Sequence, residues 1–580
     1  MDPQELTSVA LSAFDQVVSS TTGFRSRPGQ REMAERIAMA LADVTLGDHA
    51  NPDKAIAVIQ AGTGVGKSAA YLSTTVAMAL QRKTRVVVST ATVALQEQLM
   101  TKDLPALAAV LDAPFVYALA KGRGRYVCKL KLERIAGSGA EDASDLFGID
   151  EDAPPPSAAY VKQLKGQNWQ DPEERRMQLY ESLANALAAG QWDGDRDSLA
   201  EQPDPRDWAG VAAERHTCTA RHCPRFRDCS YYTARTALAQ AQVIVANHDL
   251  VLASLGMKAL PDLDNCLIVF DEGHHLPAVA LDQFSSSMDL SGLRWLDKLP
   301  RILHDVAEKM GYSLAQDVNT LAAQLKTALL DAGRIAMDLL RVVAASYDIV
   351  HRFKDGELPE ALRDPMTLIH GHARGLSDAL EALGAELKAR SKEDPAQAAS
   401  NAVQYAKLGQ MAPKLNAVLS TSAMLLAHDA QPMAKWLRSD TSSGLVALSA
   451  HACPIVPGEL LRQHLWSQVR GAVLTSASLT SCGSFDYFLA ETGLNDLPQV
   501  STLAVSSPFN YSTQGQLLVV ETTADPRHAD SFTREMVAAL LADLRLVAHG
   551  ALVLFTSRVQ MKAAVDALDA ALQELVLVQG

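Results

Sequence analysis

The chain has 580 residues, of which 48% are hydrophobic and 21% charged, with seven cysteines and a formal net charge of −14. At roughly 100–200 residues per domain this predicts about three to five globular domains, and it excludes a disordered or collagenous chain, a disulfide framework and, for lack of an apolar run of about 18 residues, a membrane span. The acidic balance taken alone argues against nucleic acid, yet net charge describes the long-range field and not any one groove.

In chain order, Leu6, Ala10, Phe14 and Val17 repeat at helical spacing and predict a leading amphipathic helix, with no basic leader or cleavage site in Met1 to Val18. A cytoplasmic protein is expected. Apolar, β-branched runs then recur at Ala55–Gln60, Arg85–Thr90, Val243–His248, Cys266–Glu272, Gly471–Ser478, Leu517–Glu521 and Gly550–Ser557. Buried strands alternating with helical patterns imply an α/β fold built on a parallel sheet covered on both faces.

Two insertions interrupt that rhythm. The first, 115–240, holds four cysteines, an acidic Pro-rich loop from Glu141 to Pro156 and a polar loop from Asp193 to Asp207, both expected to be mobile and solvated. The second, 283–444, reads as almost wholly helical. Leu314, Val318, Leu321 and Leu325, then Ile335, Leu339 and Val342, then Leu376, Leu380, Leu383 and Leu387, form stripes that suit the core of a helical bundle or arch.

The strand at 55–60 runs into Ala61-Gly62-Thr63-Gly64-Val65-Gly66-Lys67-Ser68, which opens a helix. This is the phosphate-binding loop pattern with Ala in its first position. Glycines let backbone N–H groups curl around phosphates without Cβ clashes, and the helix N-terminus favours negative charge. Lys67 is expected on the β- and γ-phosphates and Ser68 on Mg²⁺, so ATP is the expected nucleotide. A second buried strand ends in Asp271-Glu272-Gly273-His274. Acid pairs at strand ends are common by themselves. Beside a phosphate loop they predict Asp271 as a Mg²⁺ ligand and Glu272 as the group that polarises the attacking water, with His274 coupling nucleotide state to a substrate groove.

Cys128, Cys218, Cys223 and Cys229 share the first insertion, the last three spaced Cys-x4-Cys-x5-Cys. Four thiolates suit zinc or an iron–sulfur cluster; the spacing leans away from zinc without excluding it. Cys266, Cys453 and Cys482 read as core or incidental thiols. Lys121, Arg123, Arg125, Lys129, Lys131 and Arg134 surround the first of the four, and Arg215, Arg221, Arg225 and Arg227 surround the others, with Tyr126, Phe226, Tyr231 and Tyr232 interleaved. Cations with aromatic faces suit a single-strand groove; a solvated basic face balancing a cluster's charge is the plainer alternative.

Together these motifs resemble the DinG-type helicases of the XPD-like group in superfamily two, in family order along essentially the whole chain. Asp271-Glu272-Gly273-His274 resembles their second motif, and Arg27-Pro28-Gly29-Gln30 their adenine-reading motif, with Gln30 on the base. Val88-Ser89-Thr90-Ala91-Thr92 with Leu95-Gln96-Glu97-Gln98 resembles motif Ia, which implies strand contacts at Thr90 and Thr92. Ala246-Asn247-His248 resembles a further signature. Thr475-Ser476-Ala477-Ser478-Leu479 resembles motif III, with Ser478 where many relatives have Thr, and implies coupling roles for Thr475 and Ser476.

The resemblance implies two RecA-like motor domains, with motor domain 1 spread over 1–114, 241–282 and 445–495. An iron–sulfur insertion (115–240), an all-helical arch (283–444) and part of motor domain 2 (496–580) complete the chain. It implies a [4Fe–4S] cluster on the four cysteines; the cations and aromatic faces around them are the basis for expecting DNA contacts by Arg123, Arg125 and Tyr126. A monomer is expected, moving 5′ to 3′ on single-stranded DNA with ATP and Mg²⁺ and unwinding forked or hybrid duplexes, in DNA repair. The family carries two more motifs beyond this point, the last bearing arginine fingers. The expectation is therefore a truncated chain whose second motor domain has about three strands and two helices and which binds ATP but hydrolyses it poorly. A nucleotide-binding, single-strand DNA-binding protein without efficient unwinding is the alternative.

Overall fold

The computed structural model describes residues 2–20, 27–47, 54–137, 172–256, 260–341, 348–428, 432–440 and 446–578. The loop expected at 141–156 lies outside them, as does Val342. The chain divides into two compact units, Met1–Pro508 and Phe509–Gly580.

The strands of the first unit are β1 (Ala55–Ala61), β2 (Arg85–Thr90), β3 (Tyr117–Leu119), β4 (Val243–Asn247), β5 (Cys266–Asp271), β6 (Ser286–Asp289), β7 (Asp348–Arg352), β8 (Met433–Asp440), β9 (Ala447–Pro454), β10 (Gly471–Ser476) and β11 (Val500–Val505). Seven of them form one sheet in the order β11-β1-β10-β5-β2-β4-β3, and every pair in it is parallel. Alternate residues supply two cores. Ala57, Ile59, Val86, Val88 and Val269 meet Phe14, Ile37 and Met78 from helices Pro3–Ser20, Pro28–Ala42 and Lys67–Arg82. Ile56, Val58, Val87, Ile268 and Leu474 meet Leu252, Leu276 and Trp466 on the other face. A strand buried on both faces cannot alternate apolar with polar, which is why these runs read as continuous hydrophobic stretches.

Two strands of this sheet escaped the sequence reading. β3 has only three residues. β11 falls in the segment assigned from sequence to the second motor domain, but Ile56 to Ala61 pair in register with Val500 to Val505, so it is an edge strand of the first sheet. The runs 517–521 and 550–557, expected as strands, are not strands: Leu517 and Leu552 are 88% and 85% exposed. A β-branched run without a neighbouring ladder leaves its N–H and C=O groups to water, and among the described residues of the second unit no strand forms. That unit contains helices Ala529–Leu544 and Arg558–Asp566.

The second insertion packs helices Trp295–Met310, Val318–Arg341, Glu360–Glu393 and Ala398–Leu426 around one core that includes Leu325, Leu376, Leu383 and Leu387. It is not wholly helical. A second sheet, β6-β9-β8-β7, is antiparallel and covers one side. Its strands alternate: Lys435, Leu437 and Ser439 are buried while Trp436 and Arg438 are not. The buried Lys435 ammonium donates to the carbonyls of Leu425 and Ala427 at 2.9 and 2.8 Å, closing the C-terminal end of a helix where a cation is favourable.

The cysteine insertion has its own small core of Val127, Leu132, Ile135, Tyr180, Leu183, Trp192, Trp208 and Val211. The loop 193–207, expected to be mobile, is pinned to it. Trp192 Nε1 donates to the Asp195 carbonyl at 2.7 Å, and Lys121 pairs with Asp195 at 2.5 Å and with Asp197 at 3.0 Å. Helix Ala398–Leu426 reaches this insertion at Gly409, where a Cβ would collide with the backbone of His216 and Thr217. Among the described residues no helix is long and apolar enough to cross a membrane.

Candidate functional site

Parallel strands bring their C-terminal ends to one edge, and the chemistry gathers there. β1 delivers the loop 61–66, β5 delivers Asp271 and Glu272, and β10, between them, delivers Thr475 and Ser476. Register places Thr475 beside Asp271 and Ser476 beside Gln60.

Gly64 and Gly66 take φ values of +80° and +90°, a region that disfavours any side chain, and Gly66 leads into helix Lys67–Arg82. Val65 is buried beneath the loop, while Thr63 and Gly64 are exposed and Gly62 and Gly66 half-buried. Gln30 is buried against the loop, its Nε2 donating to the Gly66 carbonyl at 2.9 Å while its Oε1 is without a protein partner. Lys67 Nζ meets Glu272 Oε1 at 2.7 Å. An ammonium at the mouth of a phosphate loop is thus held by a carboxylate 205 residues away in sequence.

Asp271 is buried. It accepts from the Tyr71 hydroxyl at 3.1 Å and from the Glu272 amide at 3.1 Å. Burial pushes its carboxyl up to about 6; the Glu272 charge adds to the rise and Lys67 opposes it. Burial raises Glu272 as well, but Lys67, Ser476 and His274 outweigh it and hold this carboxyl below its ordinary value. Glu272 sits in left-handed backbone at φ +52°, uncommon for a residue with a side chain. Ser476 Oγ donates to Glu272 Oε2 at 3.0 Å and lies 2.6 Å from His274 Nδ1. Burial, with His275 beside it, lowers His274. Thr475 is fully buried and its hydroxyl has no partner.

Of the expected nucleotide residues, the structure therefore gathers Gln30, Lys67, Asp271, Glu272, His274, Thr475 and Ser476 on one sheet edge. Ser68 lies beside the Tyr71 hydroxyl in the same group. Two participants, Tyr71 and Gln60, were missed, and a third, His248, was named within a signature without a role. Tyr71 lies one helical turn beyond Lys67. Gln60 is the single residue of β1 that is not buried, a polar interruption visible in the sequence. His248 is buried, with Nδ1 2.7 Å from Ser89 Oγ and Nε2 unpartnered, and burial lowers it to about 4.

The expected strand-contacting residues fare unevenly. Thr90 is fully buried at the end of β2, its hydroxyl turned to the Thr92 carbonyl, so its side chain is not on the surface. Thr92 is exposed and caps the helix Val93–Gln98 by accepting from the Leu95 amide. Tyr126 is 7% exposed and packs edge-on to Tyr231, so it belongs to the insertion's core and presents no face to a base. Arg123 lies over the Tyr231 ring at 4.3 Å, and Arg125 is exposed and pairs with Asp197 at 3.1 Å.

Cys128, Cys218, Cys223 and Cys229 are free thiols lining one pocket, with Arg123, Phe226, Tyr231 and Tyr232 as further walls. Burial raises Cys128 and Cys229 and takes Cys223 up to about 12, each thiol feeling its neighbours. Among the described residues no three His, Cys, Asp or Glu side chains converge on one point that a single metal ion could hold. A cluster of four irons takes one thiolate per iron, so its ligands are spread around a pocket wall. Four thiols so arranged, with cations beside them, fit such a cluster.

A family model described as DEAD_2 matches residues 219–293. An ATP-dependent DNA helicase DinG from Photobacterium profundum is 31% identical, over 96% of this chain and 77% of that protein. One from Escherichia coli strain K12 is 29% identical, over 96% of this chain and 76% of its own length. Among solved structures, an XPD helicase matches with a TM-score of 0.44 at 14% identity, covering 94% of this chain and 75% of that one. A truncated XPD matches at 0.35 and 13%, covering 82% and 99%.

Proposed function

Because the chain belongs to the DinG family of ATP-dependent DNA helicases, we propose that its sheet edge binds ATP with Mg²⁺ and that hydrolysis there drives movement along single-stranded DNA and unwinding of duplexes. The observation that carries this reading is the 2.7 Å pair between Lys67 and Glu272. It joins the phosphate loop to the acid that follows β5, the arrangement needed to hold a triphosphate and orient a water against it.

In this reading the backbone amides of 62–66 cradle the phosphates and Lys67 leaves Glu272 for them. Ser68 and Asp271 would hold Mg²⁺, with the Tyr71 hydroxyl orienting Asp271. Glu272, released from Lys67 and steadied by Ser476, aligns the attacking water. Gln30 reads the base. His274 and Ser476 pass the state of the acid toward the strand.

The pocket of Cys128, Cys218, Cys223 and Cys229 would hold a [4Fe–4S] cluster, which when bound would brace the insertion and offer one-electron chemistry. Thr92, Arg123 and Arg125 supply donors and charge along the strand's path. Movement 5′ to 3′, forked or hybrid substrates, a monomeric state and a cytoplasmic site of action complete the reading.

ATP turnover in the presence of single-stranded DNA is the direct test. Lys67→Ala should lower it by about 100-fold or more, the scale of losing one charge-stabilising donor, with the melting temperature kept. Turnover retained by that variant would remove the site.

A further inference from the structure

Gln60 is the last residue of β1 before the phosphate-loop pattern begins. Its Oε1 accepts the amides of Leu479 and Thr480, both at 2.7 Å, and the Thr480 hydroxyl at 3.0 Å. Two backbone N–H groups can only donate, so the oxygen end of the amide is the end that faces them. Along the backbone Gln60 is paired in register with Ser476, four residues before Thr480. Ser476 donates to Glu272, and Glu272 holds Lys67. The contacts close a ring: Lys67, Glu272, Ser476, the segment 477–480, Gln60, and the loop 61–66 back to Lys67. Beyond the ring the chain makes a tight turn, with Ser481 and Ser484 bridged and Cys482 and Gly483 at φ +50° and +84°, before helix Asp486–Thr492.

We propose that Gln60 is a positioning residue that carries nucleotide occupancy of the loop 62–66 to the segment Leu479–Ser484. The inference rests on the ATP-site reading and adds a transmission route to it. Phosphates seating in the loop pull on the end of β1. The carbonyl of Gln60 moves with it, and three donors of the following segment move with the carbonyl. A carboxylate at 60 would still accept all three; an alanine would leave two backbone amides unpaired and the ring open.

Hydrogen–deuterium exchange on the full chain, with and without a non-hydrolysable ATP analogue and Mg²⁺, tests this in wild type, Gln60→Ala and Gln60→Glu. In wild type and Gln60→Glu the analogue should alter exchange at Leu479 and Thr480. In Gln60→Ala those amides should exchange about tenfold faster, as expected for a lost hydrogen bond, and should no longer respond, while the peptide spanning 62–70 is protected in all three. Turnover with single-stranded DNA should fall about tenfold in Gln60→Ala, with KM for ATP held and Gln60→Glu restoring kcat. An unchanged response at Leu479 and Thr480 in Gln60→Ala overturns the proposal. Failure of the analogue to protect 62–70 in wild type would instead sink the ATP-site reading. The nucleotide-free comparison would then decide Gln60 alone, with equal exchange of the two amides in wild type and Gln60→Ala counting against it.

Discussion

His274 Nδ1 lies 2.6 Å from Ser476 Oγ, and Ser476 in turn donates to Glu272 at 3.0 Å. A hydroxyl has one proton, so with that proton on Glu272 the histidine must supply the hydrogen of the other bond. His274 is therefore neutral with its proton on Nδ1, or doubly protonated. Ser476→Ala should cut DNA-stimulated ATP turnover by about tenfold through kcat and leave KM for ATP nearly unmoved, while Ser476→Thr should keep most of it. Equal loss in both variants would remove the hydroxyl from the relay.

Asp271 sets a pH signature. Its folded value is raised to about 6 by burial, so the folded state holds this proton more tightly than the unfolded chain does. The associated stability is full below about pH 4 and is lost as pH rises through about 6. Above that, the buried carboxylate costs up to about 3 kcal/mol without metal. In chelator, Asp271→Asn should therefore unfold at higher denaturant than wild type at pH 8 and show no such gain at pH 4. Mg²⁺ with ATP should stabilise wild type more at pH 8 than at pH 5. A constant difference between wild type and variant across that range would contradict the assignment.

Tyr71 donates to Asp271, so in the proposed reading it would act on Mg²⁺ through that carboxylate. Tyr71→Phe keeps the buried ring and removes the 3.1 Å hydrogen bond. The expected result is a Mg²⁺ requirement raised about tenfold, the scale seen when groups that orient a metal ligand are lost. Nucleotide affinity measured in chelator should stay the same. Titrating turnover against Mg²⁺ distinguishes this from general damage.

Burial raises the Cys128, Cys223 and Cys229 thiols and favours their protonated forms, so cluster uptake should release protons. Cys128→Ser should lose the visible absorbance of bound iron and make the region 121–230 more susceptible to protease. Full iron content in that variant would exclude Cys128 as a ligand.

Tyr126 serves the core of the insertion and not its surface. Buried at 7% exposure against Tyr231, it supports the insertion from within. Tyr126→Ala should lower the insertion's stability by about 3–5 kcal/mol, as large-to-small aromatic changes do. Arg125→Ala should instead leave stability unchanged and weaken single-strand binding with a salt slope reduced by about 1.

The motor's first sheet was legible because strands buried on both faces leave unbroken apolar runs, and the loop at 62–66 and the acids at 271–272 carry local patterns. Long-range relations left no such trace. Nothing local to Tyr71 announces Asp271, and nothing near Leu479 announces Gln60; only parallel register brings them together. β11 was misassigned because an edge strand with half-exposed residues resembles the start of a new domain. The sheet β6-β9-β8-β7 was hidden among leucine stripes, with long helices lying between β6 and β7 and between β7 and β8. Tyr126 shows the limit of composition and Thr90 the limit of a motif resemblance: a residue of the right type for a strand contact can face the core.

Glu272 occupies backbone that glycine tolerates and other residues resist. Ranking substitutions there by melting temperature and by turnover should therefore give opposite orders. Glycine would relax the chain while deleting the carboxylate, and alanine or glutamine would keep the torsional penalty and gain nothing. A position that is locally uncomfortable and still carries an acid marks where this enzyme trades robustness for chemistry, and selection for a hardier protein would reach Glu272 early and destroy activity by doing so.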